Sequence, residues 1–343
     1  MLKKTYIAAA LIMTMTLSVC GCSGNTNDTA SQGNSENNTA SATEQSTENP
    51  QSNNKFFAPQ KTIADTDVDI TASKGRFCFD KLDDKEKLYY EKIRKGVAEH
   101  YNAFFWNNRE CSKETAEKLV SYVAYDYPEY FWYSDNDGGV DMMTDKIIKR
   151  IKFHYGYTAE EAEEIQPKLD SAVKAYTDSA KNFKNDYEKA LGAYEYIIKN
   201  TEYVADGGAT LDTLYDVASD KAVLDLWNVT GVFVDKKASA RGYAQAFAYL
   251  MQQSGIECGY VRGEGNSFWN VVKLDGEWYC VDTAQGDSTD EEIDYSYFAI
   301  TSEQMAKVHK ADETFNAEIP ECTAVANNYF VKNPDTKAKN SLS

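Results

Sequence analysis

Basic charge is in short supply in this sequence. Lys and Arg number 36 against 54 Asp and Glu, a formal net charge of −18 at pH 7. Nucleic-acid binding, which needs a basic face to neutralise phosphates, is thereby excluded, and adsorption to an anionic lipid surface is disfavoured. No CxxC spacing occurs, so nothing points to a redox motif. Histidine is scarce: only His100, His154 and His309. No internal repeat is visible. Gly263-Glu264-Gly265 lacks the strand-to-helix setting of a phosphate loop and reads as a turn. In the stretch holding Asp135, Asp137 and Asp141 the glycines fall out of register for a calcium loop, and Asp287 to Asp294 reads as a solvated acidic loop. No metal and no cofactor is expected.

The first residues are different in kind. A basic start at Lys3 and Lys4 precedes an apolar run from Tyr6 to Val19, shorter than the roughly 20 residues a membrane-spanning helix needs. The run closes on Leu17-Ser18-Val19-Cys20-Gly21-Cys22, small residues before a Cys at the end of a signal peptide, which looks like a lipoprotein box. Residues 1–21 are expected to be removed and Cys22 lipidated, with Cys20 the alternative. Residues 22–55 are Ser-, Thr- and Asn-rich and cannot repay their ordering entropy, so a disordered tether is expected. Its reach would be on the order of 30 Å. The expected location is the outer face of a bacterial cytoplasmic membrane or the cell surface, held by the N-terminal lipid. Cys78, Cys111, Cys258, Cys280 and Cys322 follow, an odd and scattered set in which no disulfide pairing can be assigned.

Hydrophobic spacing divides the rest into a helical N-terminal region, 56–145, a main domain, 146–330, and a polar tail, 331–343. Tyr89, Ile93, Val97, Tyr101 and Phe104 form one helical stripe over 83–106. Ser112 caps a second helix that must stop before Pro128. Ile147 to Tyr155 alternates as a strand. Thr158 and Glu161 form a capping box for a helix that Pro167 should kink or split. A helix follows from about Asn185 to Lys199. The centre is a helix opening at "KASARGYAQAF" and closed by Gly255. Three strand-like runs follow, 258–261, 268–274 and 277–283, with Asp275-Gly276 as a tight turn. The layout is α+β, a helix packed on an antiparallel sheet.

Gly242 lies in the first turn of the central helix, where it costs stability, so another element is expected to approach closely there. From this helix onward, residues 228–309, about a quarter of the chain, resemble the transglutaminase-like superfamily, bacterial lipoprotein branch. Gly231, Gly242-Tyr243-Ala244-Gln245-Ala246-Phe247, Gly255-Ile256, Val261-Arg262-Gly263, Trp269-Asn270, Asp275-Gly276-Glu277-Trp278-Tyr279, Val281-Asp282, Asp287 and Tyr297-Phe298 match its pattern in order and spacing. "DYPEYFWY" resembles a segment carried upstream by such lipoproteins. The resemblance implies a papain-like fold and acyl-transfer chemistry: a Cys attacks an amide carbonyl, a His takes its proton and an Asp orients the His.

Two of those three positions are changed. Ala240 stands where the resemblance places the Cys, and Ser267 where it places the His; Asp282 alone remains, and Ala284-Gln285 replaces the Thr-Trp pair that follows it. The expectation is therefore an inactive groove that binds a peptide, glycan, cell-wall component or protein partner. Ser239, Tyr243, Trp269, Asn270, Cys280 and Gln285 are its candidate lining, with Ala240 and Ser267 small enough to leave it open. Two other readings stand beside it: an atypical amidase or protease using Cys280 or Ser239, and a structural spacer lipoprotein whose groove has filled. None of the three histidines is expected to be near a nucleophile. His309 is assigned to the last turn of the helix after Ser302, where the helix dipole favours it. Asp282, lacking its His, is expected to hydrogen-bond Ser267 or backbone N–H groups.

Overall fold

The computed structural model describes residues 61–343 apart from 109–110, 135–139, 145–146, 206–220, 288–291, 315, 340–341 and 343. The signal, tether, Cys20 and Cys22 lie outside the described residues, as do the centres of both acidic stretches.

The N-terminal region begins with β1 (Lys61–Thr62) and α1 (Asp84–Ala98). Asp83 caps α1, its Oδ1 accepting from the N–H groups of Lys85 and Glu86 at 2.9 and 2.8 Å. The stripe Tyr89, Ile93, Val97 is buried, but the helix does not continue to 106 as its spacing suggests. His100 takes a left-handed φ of 52°, and Phe104 then belongs to β2 (Ala103–Asn108). The aromatic run at 104–106 satisfies its backbone in a sheet instead. α2 (Lys113–Asp126) starts as expected, with Ser112 Oγ accepting from Thr115 N–H at 3.1 Å. It ends before Pro128, whose ring disfavours helical geometry in the preceding residue. β3 (Tyr133–Ser134), β4 (Val140–Thr144), β5 (Ile147–Lys152) and β6 (His154–Tyr155) follow, and β1-β2-β5-β4 form one four-stranded sheet. The region is thus two helices, as expected, together with a sheet.

α3 (Ala159–Ala180) carries the anticipated capping box of Thr158 and Glu161, and it runs unbroken through Pro167. α4 (Asp186–Asn200) is capped by Asn185 and buries Tyr187, Tyr194 and Ile198. β7 (Glu202–Tyr203) pairs with β8 (Lys237–Ala238), and α5 (Lys221–Trp227) lies between them in the chain. α6 (Ala240–Gln253) is the central helix. β9 (Cys258–Arg262), β10 (Phe268–Leu274) and β11 (Glu277–Val281) form the meander in the order β11-β10-β9. Asp275 and Gly276 both have positive φ, 54° and 92°, the conformation of a two-residue hairpin turn.

The meander is covered on both faces, which explains its near-continuous apolar strands. Period-two alternation sends Val261, Trp269, Val271 and Cys280 into a core shared with α1 and α2. Cys258, Val272, Leu274, Tyr279 and Val281 enter a second core shared with α3, α4 and α6. α6 supplies Tyr243, Phe247, Leu250 and Met251 to that core, all with no exposed surface. Each such side chain contributes about 1.5–3 kcal/mol of transfer free energy. This packing holds α6 against β10 and β9.

Candidate active site

The N-terminus of α6 is held by close backbone packing. A Cβ on Gly242 would lie 2.6 Å from the Leu226 carbonyl oxygen and 2.9 Å from Ala238 Cβ, the close approach expected for this glycine. Ser239 is the N-cap by position, but its hydroxyl caps nothing. It donates to the Leu226 carbonyl oxygen at 3.2 Å and is 2% exposed. A buried hydroxyl tied to a carbonyl, with no base beside it among the described contacts, is poorly placed to attack a substrate. Ala240 is the first helical residue and is only half-buried, so solvent reaches the position where the resemblance puts a thiol.

On β10, Trp269 and Asn270 are buried. Asn270 Nδ2 donates to the carbonyl oxygens of Ala244 (3.0 Å) and Gly259 (3.3 Å), tying α6 to β9. Asn270 is therefore an internal fastener and not groove lining. Tyr243 is likewise internal: its hydroxyl donates to Asp287 Oδ2 at 2.5 Å, and burial followed by that carboxylate push its ionisation far up. Gln285 is exposed in α7 (Thr283–Gly286) and remains available to a ligand. Ser267 is half-buried, and its Oγ donates to the Glu264 carbonyl oxygen at 2.8 Å.

Asp282 does not bond Ser267. Its Oδ1 caps α7 by accepting from Gln285 N–H at 3.0 Å, the backbone contact anticipated for it. Its Oδ2 lies 2.7 Å from His309 Nε2. The His309 ring also stacks on Trp269, centroids 5.3 Å apart and planes 13° from parallel. Its side chain is 11% exposed and that of Asp282 is 2% exposed. The assignment of His309 to a helix away from any chemistry is thus corrected. α8 (Ser302–Met305) is a single turn, and His309 lies beyond it. The following segment runs back along the end of β9: Gly263 bridges Ala311, Glu264 N–H donates to the Lys310 carbonyl at 2.9 Å, and Asp312 N–H donates to the Arg262 carbonyl at 3.0 Å. Nothing in the local spacing of Ser302 to Lys310 signals this return.

Cys280 shares the Asp282 face of its strand, as period two requires, but its thiol is unfit for attack. A hydrogen bond with Cys322 and then burial raise its ionisation far above an ordinary thiol. Cys258 is pushed up by burial alone.

On the neighbouring face of α6 a small cleft of about 30 Å³ opens between the helix start and the N-terminal region. Tyr127, Tyr130, Phe131, Tyr157, Trp227 and Arg241 help line it. The "DYPEYFWY" segment thus forms a wall beside the site. The Arg241 guanidinium lies over Trp227 and Phe268, 5.7 and 6.0 Å from their centroids.

The arrangement keeps an orienting carboxylate and, from an unexpected place, an imidazole. It offers no side-chain nucleophile at the helix start. Residues 174–283 match the family model of the transglutaminase-like superfamily. The chain therefore carries a transglutaminase-like domain of α+β class. No curated protein matches the chain. Among solved structures, a TGase crystal structure aligns at 12% identity with a TM-score of 0.31, over 55% of this chain and 52% of that one. A candidate cysteine protease from Cytophaga hutchinsonii aligns at 17% identity with a TM-score of 0.24, over 39% and 44%. The chain spans about half the length of these structures.

Proposed function

We propose that this protein is a pseudoenzyme: an exported, lipid-anchored transglutaminase-like domain that binds a peptide-like or cell-wall ligand without turning it over. The carrying observation is Ala240, a solvent-reached methyl at the start of a buried helix, where acyl transfer needs a thiol. Neither Ser239, buried and bonded to a carbonyl, nor Cys280, held as a thiol in the core, substitutes for it. Ala240 keeps its solvent access and Gln285 is exposed, which favours an open binding groove over a filled spacer domain. Lipidation at Cys22, or Cys20, rests on the signal-like N-terminus.

A second reading is supported by the His309–Asp282 pair: a hydrolase in which His309 activates a water directly. One assay separates the two. Purified protein is incubated with mixed peptide and cell-wall substrates, and ammonia release and amide cleavage are followed. Silence is expected. Cleavage that disappears in His309→Asn would replace the pseudoenzyme reading with the hydrolase.

A further inference from the structure

Five cysteines are described, all buried and all present as thiols. Two of them are brought together by the fold. Cys280 on β11 exchanges both backbone hydrogen bonds with Ile300, at 2.8 and 2.9 Å. Two residues on, Ser302 N–H donates to the Cys322 carbonyl at 2.8 Å, and Cys322 N–H donates to Ser302 Oγ at 2.9 Å. Ile300 and Ser302 therefore align Cys280 and Cys322 as neighbours in the same core, near enough that each thiol shifts the other's ionisation. Cys78 and Cys111 lie in the same core, but the Cys78 N–H donates to Asp126 and the Cys111 thiol donates to the Ser112 carbonyl, while Cys258 lies in the other core.

We propose that Cys280 and Cys322 form a disulfide that clamps the His309-bearing segment onto the edge of the meander. The closed loop contains both Asp282 and His309, so the cross-link fixes both ends of the chain that builds their contact. The odd cysteine count, which left pairing open in the sequence, then resolves into one bridge and three buried thiols. In the reaction both thiols lose a proton and one S–S bond forms. The two electrons pass to the disulfide of a thiol oxidoreductase outside the cytoplasm, or to glutathione disulfide in vitro, reducing it to two thiols. The in vitro reaction does not depend on the export or ligand-binding readings.

The test is peptide mapping of the purified protein. One sample is treated folded with glutathione disulfide; a second is refolded from denaturant in a glutathione redox buffer. Remaining thiols are alkylated after denaturation, and the digests are weighed. The expected result is a peptide pair joining Cys280 to Cys322, two hydrogens lighter than the sum, with Cys78, Cys111 and Cys258 alkylated. The oxidised protein should melt on the order of 10 °C above the reduced one, a difference absent in Cys322→Ser. Alkylation of Cys280 and Cys322 in both samples, or linkage of either to another cysteine, overturns the bridge. A linked pair with an unchanged Tm overturns the clamp.

Discussion

Restoring a thiol at position 240 reports directly on what His309 can do. In Ala240→Cys the sulfur would stand at the first helical position of α6, where the helix dipole favours a thiolate. β10, which carries Trp269 beneath the His309 ring, packs along the same helix. If the imidazole reaches the new thiol, Asp282 stabilises the cation formed on proton transfer, as in a His–Asp pair of a triad. An ordinary cysteine with a pKa near 8.5 is about 3% thiolate at pH 7. Lowering that value by one to two units through an opposite charge raises the thiolate to roughly 25–75%. Because intrinsic nucleophilicity falls with pKa, the net gain in alkylation rate at pH 7 is only about 3-fold. The assay is iodoacetamide labelling of position 240 against pH, in Ala240→Cys and in Ala240→Cys/His309→Asn. A midpoint below 8 that rises in the double variant is expected. An ordinary thiol midpoint, identical in both proteins, would refute the idea that His309 serves the acyl-transfer position.

Other outcomes follow from the same geometry. Gly242→Ala should destabilise the fold by about 2–3 kcal/mol in urea denaturation, because the obstructing atoms are a carbonyl and a Cβ and not a flexible chain end. Asp126 is buried and accepts from the N–H groups of Cys78 and Phe79 and from the Tyr90 hydroxyl, yet desolvation outweighs these and raises it to about 6. The native state then holds the proton longer than the unfolded chain. Its contribution to stability is full below about pH 4, declines as pH rises toward 6 and is lost above, a change of about 3 kcal/mol. Urea midpoints between pH 4 and 7 should fall in the wild type and stay flatter in Asp126→Asn; parallel curves would refute this assignment.

The elements legible in the sequence were those written locally. Ser112 and Thr158 announced two helix starts by cap chemistry, Asp275-Gly276 announced a hairpin, and Gly242 announced a close contact. The break after Ala98 was hidden because Tyr101 and Phe104 continue a helical spacing by coincidence, while sheet pairing with β5 decides the conformation of Phe104. Tyr243 and Asn270 read as groove residues in the sequence because polar atoms suggest ligands; their partners, Asp287 and the carbonyls of Ala244 and Gly259, lie up to 44 residues away in sequence. The changes at Ala240 and Ser267 were legible because family spacing survives around them. His309 was not: it meets Asp282 from 27 residues downstream, through a return of the chain that no periodicity records.

That return makes the carboxyl-terminal segment the keystone of the site. In a triad whose histidine sits on the adjacent strand, the meander alone would preserve the constellation. Here, with Cys280 and Cys322 reduced, a nick between Thr301 and Lys310 would leave all three strands and α6 intact and still loosen the imidazole's tether. The site's integrity is thus separable from that of the sheet, and limited proteolysis in that stretch would yield a folded core with Asp282 bound only to the start of α7.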